Sequence, residues 1–91
     1  MIRQSITVKN KLGLHARAAA KLVQLASRFS SEIHLSREGS NQQINSKSIL
    51  GILMLAAAQG TRLVFTIEGS DEAEAGAAIQ QLFEENFGED N

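Results

Sequence analysis

The order in which strand-like and helix-like hydrophobic patterns follow each other leaves this chain few possible folds. Apolar and polar residues alternate, as in half-buried strands, at 2–8, at 32–37, in a short stretch through Ile44, and at 61–68. Apolar residues recur at helical spacing from Ala16 to about Phe29, in the first part of 49–58, and after Gly69-Ser70. The predicted order is β-α-β-β-α-β-α. With two hairpin-type connections, it predicts an α+β two-layer sandwich, in which helices cover one face of an antiparallel sheet.

Length and composition predict one small domain spanning residues 1–91. The chain has the length of a single domain and contains no internal repeat or linker. After Phe87 the sequence is acidic, and we expect residues from about 88 to 91 to form a frayed tail. The N-terminal segment turns polar at Arg3 and Gln4, so we expect neither a signal peptide nor insertion into a membrane.

Cysteine is absent from the chain. Disulfides and thiolate metal sites are therefore excluded, and we expect no metal and no cofactor. A chain without disulfides suits a reducing compartment, and we expect a cytoplasmic protein.

Charge is unevenly distributed although the net charge is only −1. Residues 1–47 contain eight basic groups and two acids, whereas the chain from Glu68 onward contains eight acids and no base. The basic half lacks the density of cations and the exposed aromatic side chains of single-strand binders, so we expect no nucleic acid as partner. A phosphorylated ligand or an acidic protein is the favoured partner class, and ordinary solvated charge is the alternative.

The segment Gly13-Leu-His-Ala-Arg-Ala-Ala19 places a histidine where a helix begins. The first amides of a helix have no intrahelical partner, and the macrodipole presents partial positive charge there. These features favour bound anions, and a neutral histidine is a nucleophile used for covalent intermediates. With His15 as the N-cap, the amides of Ala16, Arg17 and Ala18 would surround a phosphoryl group on the ring. The alternative is a histidine that merely precedes the helix, with Arg17 as a solvated charge.

The other histidine and a serine pair have simpler interpretations. His34 lies between Ile33 and Leu35, and alternation predicts it on the wet face of the sheet. Ser48 precedes an apolar helical run and is a candidate N-cap. The functional hypothesis is that Ser48 is phosphorylated, because a phosphate is tolerated at a helix start yet changes the local charge. Ser46 competes with Ser48 for that role.

Both motifs resemble those of the HPr family, the histidine phosphocarrier proteins of the bacterial phosphoenolpyruvate:sugar phosphotransferase system. The family's signature Gly-Leu/Ile-His-Ala/Thr-Arg-Pro-Ala matches Gly13–Ala19, except that Ala18 replaces the proline. The family's segment Lys-Ser-Ile-x-Gly matches Lys47–Gly51 fully. The resemblance extends from about Ile2 to Phe87.

The resemblance implies a set of roles. His15 would accept a phosphoryl group on Nδ1 from phosphorylated Enzyme I and pass it to Enzyme IIA domains, with Arg17 in the site. Ser48, rather than Ser46, would match the serine that HPr kinase/phosphorylase modifies. The protein would be a monomeric carrier and not an independent catalyst. The implied fold is an open-faced sandwich with strand order 1-4-2-3 and three helices, and the implied docking surface comprises Ala16, Ala20, Gln24, Ile49, Leu50 and Met54.

Two alternatives remain open on the sequence. The chain could be the carrier of the nitrogen branch (NPr), which serves a paralogous Enzyme I and a regulatory IIA protein. The Lys47–Gly51 segment favours the kinase-regulated sugar-branch type. The other alternative is an α+β ligand-binding or regulatory module without phosphohistidine. Incubation with phosphoenolpyruvate and Enzyme I distinguishes this module from both carriers, because only a carrier becomes phosphorylated.

Overall fold

The computed structural model describes residues 1–89. Four strands and three helices follow one another in the predicted order: β1 (Ile2–Thr7), α1 (Ala16–Ala26), β2 (Glu32–Arg37), β3 (Ile44–Asn45), α2 (Ile49–Leu55), β4 (Arg62–Glu68) and α3 (Glu72–Glu84). A 3₁₀ turn, Asn86–Gly88, follows α3. The strands form one antiparallel sheet of order β1-β4-β2-β3, and the predicted α+β architecture and strand order are confirmed.

One face of the sheet is apolar and covered. In the central strand β4, Leu63, Phe65 and Ile67 are each fully buried, as alternation predicts. Their cross-strand partners extend the same face, since Phe65 pairs with Leu35 and Ile67 pairs with Ile33. Burial of each such side chain contributes roughly 1.5–3 kcal/mol. Helix α1 contacts both other helices, and α3 also packs on β1 and β4, so the helices form the second layer.

Helix α1 is shorter than predicted. It ends at Ala26, whereas the apolar pattern continues to Phe29. The amides of Arg28 and Phe29 donate to carbonyls three residues earlier, so the last turn tightens into 3₁₀ geometry. Phe29 still packs against the core. The pattern therefore predicted burial correctly and the length of the α-helix wrongly.

Gly88 and Glu89, the described part of the predicted frayed tail, follow a phenylalanine that belongs to the core. Phe87 is almost fully buried, and its ring packs edge-on against Phe83 with 4.8 Å between centroids. The Lys21 ammonium donates to the Phe87 carbonyl at 2.5 Å. Phe87 thus anchors the chain just before the predicted tail. Residues 90 and 91 of the predicted tail lie outside the described residues.

Candidate phosphoryl-acceptor site

The loop before α1 is fixed against the chain that leaves α2. Gly13 adopts a left-handed backbone conformation with φ of +66°, and a Cβ at this position would lie 2.4 Å from the Ala57 carbonyl oxygen. The Leu14 amide donates to the same carbonyl at 2.9 Å. Only glycine allows both the conformation and the close approach. The start of α1 is therefore held at a defined place on the molecule.

His15 is the N-cap of α1, as predicted. Its backbone is extended, with φ of −72° and ψ of 179°, and its carbonyl accepts the Ala19 amide at 2.8 Å. The Arg17 amide donates to the Nδ1 atom of the ring at 3.3 Å. Because an amide only donates, Nδ1 carries the lone pair. The ring is 26% exposed, so Nδ1 belongs to a partly accessible imidazole at the positive end of a helix.

The other ring nitrogen, Nε2, is hydrogen-bonded to the carboxylate of Glu89, which the sequence did not predict as part of the site. Glu89 Oε2 accepts the Nε2 proton, and Glu89 Oε1 accepts from Asn10 Nδ2 at 2.9 Å. Burial raises the pKa of Glu89, but hydrogen bonds from His15 and Asn10 and the charges of His15 and Arg17 outweigh it, so the pKa lies below its ordinary value. Glu89 is 74 positions from His15. No local pattern pairs residues that far apart, and the acidic composition around Glu89 indicated only a tail.

An open cavity of about 630 Å³ adjoins the imidazole. Its lining residues are Leu12, His15, Ala16, Arg17, Lys21, Gly88 and Glu89. Arg17 is exposed, whereas Ala18, which replaces the family's proline, is fully buried. Within residues 1–89, the amides of Ala16 and Ala18 have no hydrogen-bond acceptor. The cavity therefore combines two cationic side chains, Arg17 and Lys21, with the unpaired amide of Ala16 at the helix start, a combination that suits an anion.

The structure distinguishes the two candidate serines. Ser48 is the N-cap of α2, and its Oγ accepts the Gly51 amide at 3.2 Å. It is partly exposed, whereas Ser46 is fully buried. A modifying enzyme can reach only Ser48 without unfolding β3 and the turn that follows.

An apolar surface extends from the predicted docking residues. Ile49, Leu50 and Met54 on α2 are 40%, 66% and 76% exposed. Ala16 and Gln24 on α1 are exposed, and Ala20 is partly exposed. The two helices contact each other. Leu12 and Leu53, which the sequence analysis did not select, are also exposed, at 70% and 39%. Exposed apolar side chains on contacting helices are typical of surfaces that bind protein partners.

Within the described residues 1–89, no group of His, Asp and Glu is arranged to hold a metal ion. In the same part of the chain, no helix is both long and apolar enough to cross a membrane.

Comparison with known proteins assigns a family to this site. A family model described as the PTS HPr component phosphorylation site matches residues 2–85. Phosphocarrier protein HPr of Xylella fastidiosa strain Temecula1 is 51% identical over 90 residues, which cover 99% of each chain. A crystal structure of HPr from Thermoanaerobacter tengcongensis superposes with a TM-score of 0.93 at 46% identity and covers both chains fully. A structure of an HPr dimer from the same organism has a TM-score of 0.76 at 47% identity, covering 98% of this chain and 100% of the other. Both motifs fall within the matched residues, and the chain therefore belongs to the HPr family, the phosphocarrier proteins of the phosphotransferase system.

Proposed function

We propose that this protein carries the phosphoryl group on Nδ1 of His15. The observation that carries the proposal is the hydrogen bond from the Arg17 amide to Nδ1, which leaves the lone pair on this nitrogen and the proton on Nε2. In the loading step, the Nδ1 lone pair attacks phosphorus. The bond between phosphorus and the donor breaks, and its electron pair returns to the donor. In delivery, a nucleophile of the acceptor protein attacks phosphorus, the bond between Nδ1 and phosphorus breaks, and its electron pair returns to Nδ1.

The start of α1 supplies groups that stabilise the loaded state. When Nδ1 is bonded to phosphorus it no longer accepts the Arg17 amide, which becomes free to donate to a phosphoryl oxygen. We assign the amide of Ala16 and the Arg17 guanidinium to the same task, through charge-assisted hydrogen bonds. Ala18 retains an amide that the family's proline lacks, but Ala18 is fully buried and does not line the cavity, so we do not assign its amide to the phosphoryl group.

Membership of the family implies Enzyme I and Enzyme IIA domains as partners. The proposed docking surface combines Ala16, Ala20, Gln24, Ile49, Leu50 and Met54, because their exposure on two contacting helices leaves apolar atoms available beside the acceptor. The protein acts as a transfer intermediate in the cytoplasm and does not turn over a substrate alone. We propose a monomer, although a related chain crystallised as a dimer. Light scattering at the protein concentration of the transfer assay tests the mass, and a dimeric mass would contradict the monomer.

A second part of the proposal is that HPr kinase/phosphorylase modifies Ser48. Its support is the exposure of Ser48 beside Ile49 and Leu50, together with the burial of Ser46. A phosphate at this position introduces negative charge at the edge of the docking surface and thereby opposes the docking of Enzyme I.

The acceptor assignment is tested with phosphoenolpyruvate and Enzyme I. We expect a ³¹P signal of an acid-labile phosphohistidine in the wild-type protein and in His34→Ala, which is the matched control because the chain has two histidines. The signal is expected to be absent in His15→Ala. Coupling of phosphorus to ¹⁵N identifies the nitrogen. A signal that survives in His15→Ala, or coupling to Nε2, contradicts the proposal.

The branch of the phosphotransferase system is tested separately. The Lys47–Gly51 segment supports the sugar branch. We expect purified Enzyme I of the sugar branch to load His15 faster than its nitrogen-branch paralogue does. The opposite preference assigns the chain to the nitrogen branch.

A further inference from the structure

Glu89 and Asn10 form a fixed support behind the acceptor ring. Asn10 is fully buried, and its Nδ2 donates to the Gly13 carbonyl and to Glu89 Oε1, each at 2.9 Å. Both hydrogens of Nδ2 are thereby used. The other carboxylate oxygen, Oε2, accepts from Nε2 of His15. Each oxygen of Glu89 therefore has a specific partner, and the carboxylate is only 13% exposed.

The chain after α3 is shaped to bring Glu89 to this place. Asn86, Phe87 and Gly88 all adopt positive φ, at 53°, 57° and 77°. For a residue other than glycine such a conformation costs roughly 1–3 kcal/mol and persists only where surrounding contacts enforce it. The buried Phe87 ring and the bond from Lys21 to the Phe87 carbonyl supply those contacts. Three consecutive left-handed residues turn the chain back toward α1 and place Glu89 against His15.

We propose that Glu89 is a positioning residue for phosphoryl transfer at His15. This inference rests on the function proposed above. The carboxylate keeps the proton on Nε2 and so keeps the lone pair on Nδ1, in the way that a buried carboxylate orients a catalytic histidine. When the Nδ1–phosphorus bond forms, the ring retains the Nε2 proton and gains positive charge, which the Glu89 carboxylate stabilises through the same hydrogen bond.

Glu89 lies outside the family model, which matches residues 2–85. The segment also forms part of the cavity wall, because Gly88 and Glu89 line the cavity together with His15 and Arg17. A carboxylate at this position thus acts on the acceptor ring from the side opposite to the nucleophilic nitrogen.

The experiment compares Glu89→Ala, Glu89→Asp and a control, Glu84→Ala. Glu84 is an exposed acid at the end of α3, and its carboxylate accepts a hydrogen bond from the partly exposed Gln80 one turn earlier. Loading of His15 from phosphoenolpyruvate and Enzyme I is followed by rapid quench, and the ring is followed by ¹⁵N NMR without a phosphoryl donor. Thermal melts verify that each variant is folded.

We expect Glu89→Ala to load on the order of tenfold more slowly, the size of effect typical when a supporting carboxylate is removed. Its Nε2 proton should exchange faster with water, and its ring nitrogens should shift. Glu89→Asp should recover part of both effects, and Glu84→Ala should match the wild type. A Glu89→Ala protein with unchanged nitrogen shifts and Nε2 proton exchange overturns the proposal. Because the NMR measurement needs no donor, it tests Glu89 even if the wild-type protein fails to load, which would overturn the proposed function instead.

Discussion

Gly13 helps to fix the loop before the proposed acceptor, His15, against the rest of the fold. It combines a positive φ with the close approach of the Ala57 carbonyl, and it lies two residues before His15. Gly39 offers a natural comparison, because its φ is +87° and a Cβ there would meet no atom within 4 Å. Alanine substitutions at the two glycines therefore separate the free-energy cost of the backbone conformation from the cost of a steric clash.

We expect Gly13→Ala to lower the free energy of unfolding by at least about 2 kcal/mol, since backbone strain and the clash with Ala57 add. Gly39→Ala should cost only the conformational part, about 1 kcal/mol. Urea unfolding of both variants measures the difference. Equal losses would mean that the loop moves away from Ala57 without penalty.

Ser48 is the residue at which the capping bond of α2 and the proposed regulatory role can be tested separately. Ser48→Ala removes the hydrogen bond to the Gly51 amide and should cost about 1 kcal/mol of stability. Asp is an equally good N-cap, so Ser48→Asp should keep the stability while adding charge beside Leu50. We expect Ser48→Asp to slow loading by Enzyme I on the order of tenfold, through electrostatic conflict at the docking surface.

The control for Ser48→Asp is Ser70→Asp, which adds the same charge at an exposed position before α3. It should load at the wild-type rate in the same quench assay. If Ser48→Asp also loads at that rate, charge at the start of α2 does not regulate docking.

At the scale of elements, Asp71 connects the turn after α1 to the start of α3. Although it occupies the N-cap position of α3, its side chain makes no capping bond to its own helix. Its carboxylate accepts instead from the Ser31 hydroxyl and from the amides of Ser30 and Ser31, at 2.9 and 3.0 Å. The Ser31 hydroxyl and then the Ser30 amide are the main causes that lower the pKa of Asp71 to about 2. The sequence predicts Gly69-Ser70 as the cap of α3, but the N-cap position is Asp71, whose side chain bonds to the turn after α1 instead.

We expect Asp71→Asn to be less stable than the wild type at neutral pH, because the amide loses the charge that these donors favour. The folded-state pKa is depressed, so the contribution of Asp71 is fully present above its ordinary pKa of 3.8 and disappears as the pH falls toward 2. The difference in Tm between the two proteins should therefore be largest above about pH 5 and shrink between pH 4 and pH 2. A difference that stays constant over this range would contradict the assignment.

For the whole molecule, sequence reasoning succeeds where neighbours along the chain decide the outcome. Alternation determines which face of β4 is buried, and a polar residue before an apolar run marks the starts of α1 and α2 at His15 and Ser48. It fails where distant contacts decide. The contact between Asp71 and Ser31 spans 40 positions and the contact between Glu89 and His15 spans 74. Ser31 lies just after α1, near the helix end that the sequence predicted wrongly. Glu89 belongs to an acidic segment that composition alone predicts to be solvated.

An aromatic series connects the sheet to the C-terminal segment. Phe65 on β4 packs edge-on against Phe83 on α3, with 5.7 Å between centroids, and Phe83 packs edge-on against Phe87. Such pairs add about 0.5–1.5 kcal/mol beyond burial of their area. The position of Glu89 at the acceptor therefore depends on packing that begins in the middle of the sheet.

We expect Phe87→Ala to lower the free energy of unfolding by about 2–3 kcal/mol. This is less than a central phenylalanine costs, because the terminal segment can detach without global unfolding. Phe87→Leu, which keeps most of the volume, should cost less than about 1.5 kcal/mol. Of these two variants, only Phe87→Ala should also release Glu89 from His15. The Nε2 proton of His15 should then exchange with water almost as fast in Phe87→Ala as in Glu89→Ala. His15 itself should remain at the start of α1. If Phe87→Ala retains slow Nε2–H exchange, the aromatic series does not hold Glu89, and the contact between Glu89 and His15 is sustained by Asn10 alone.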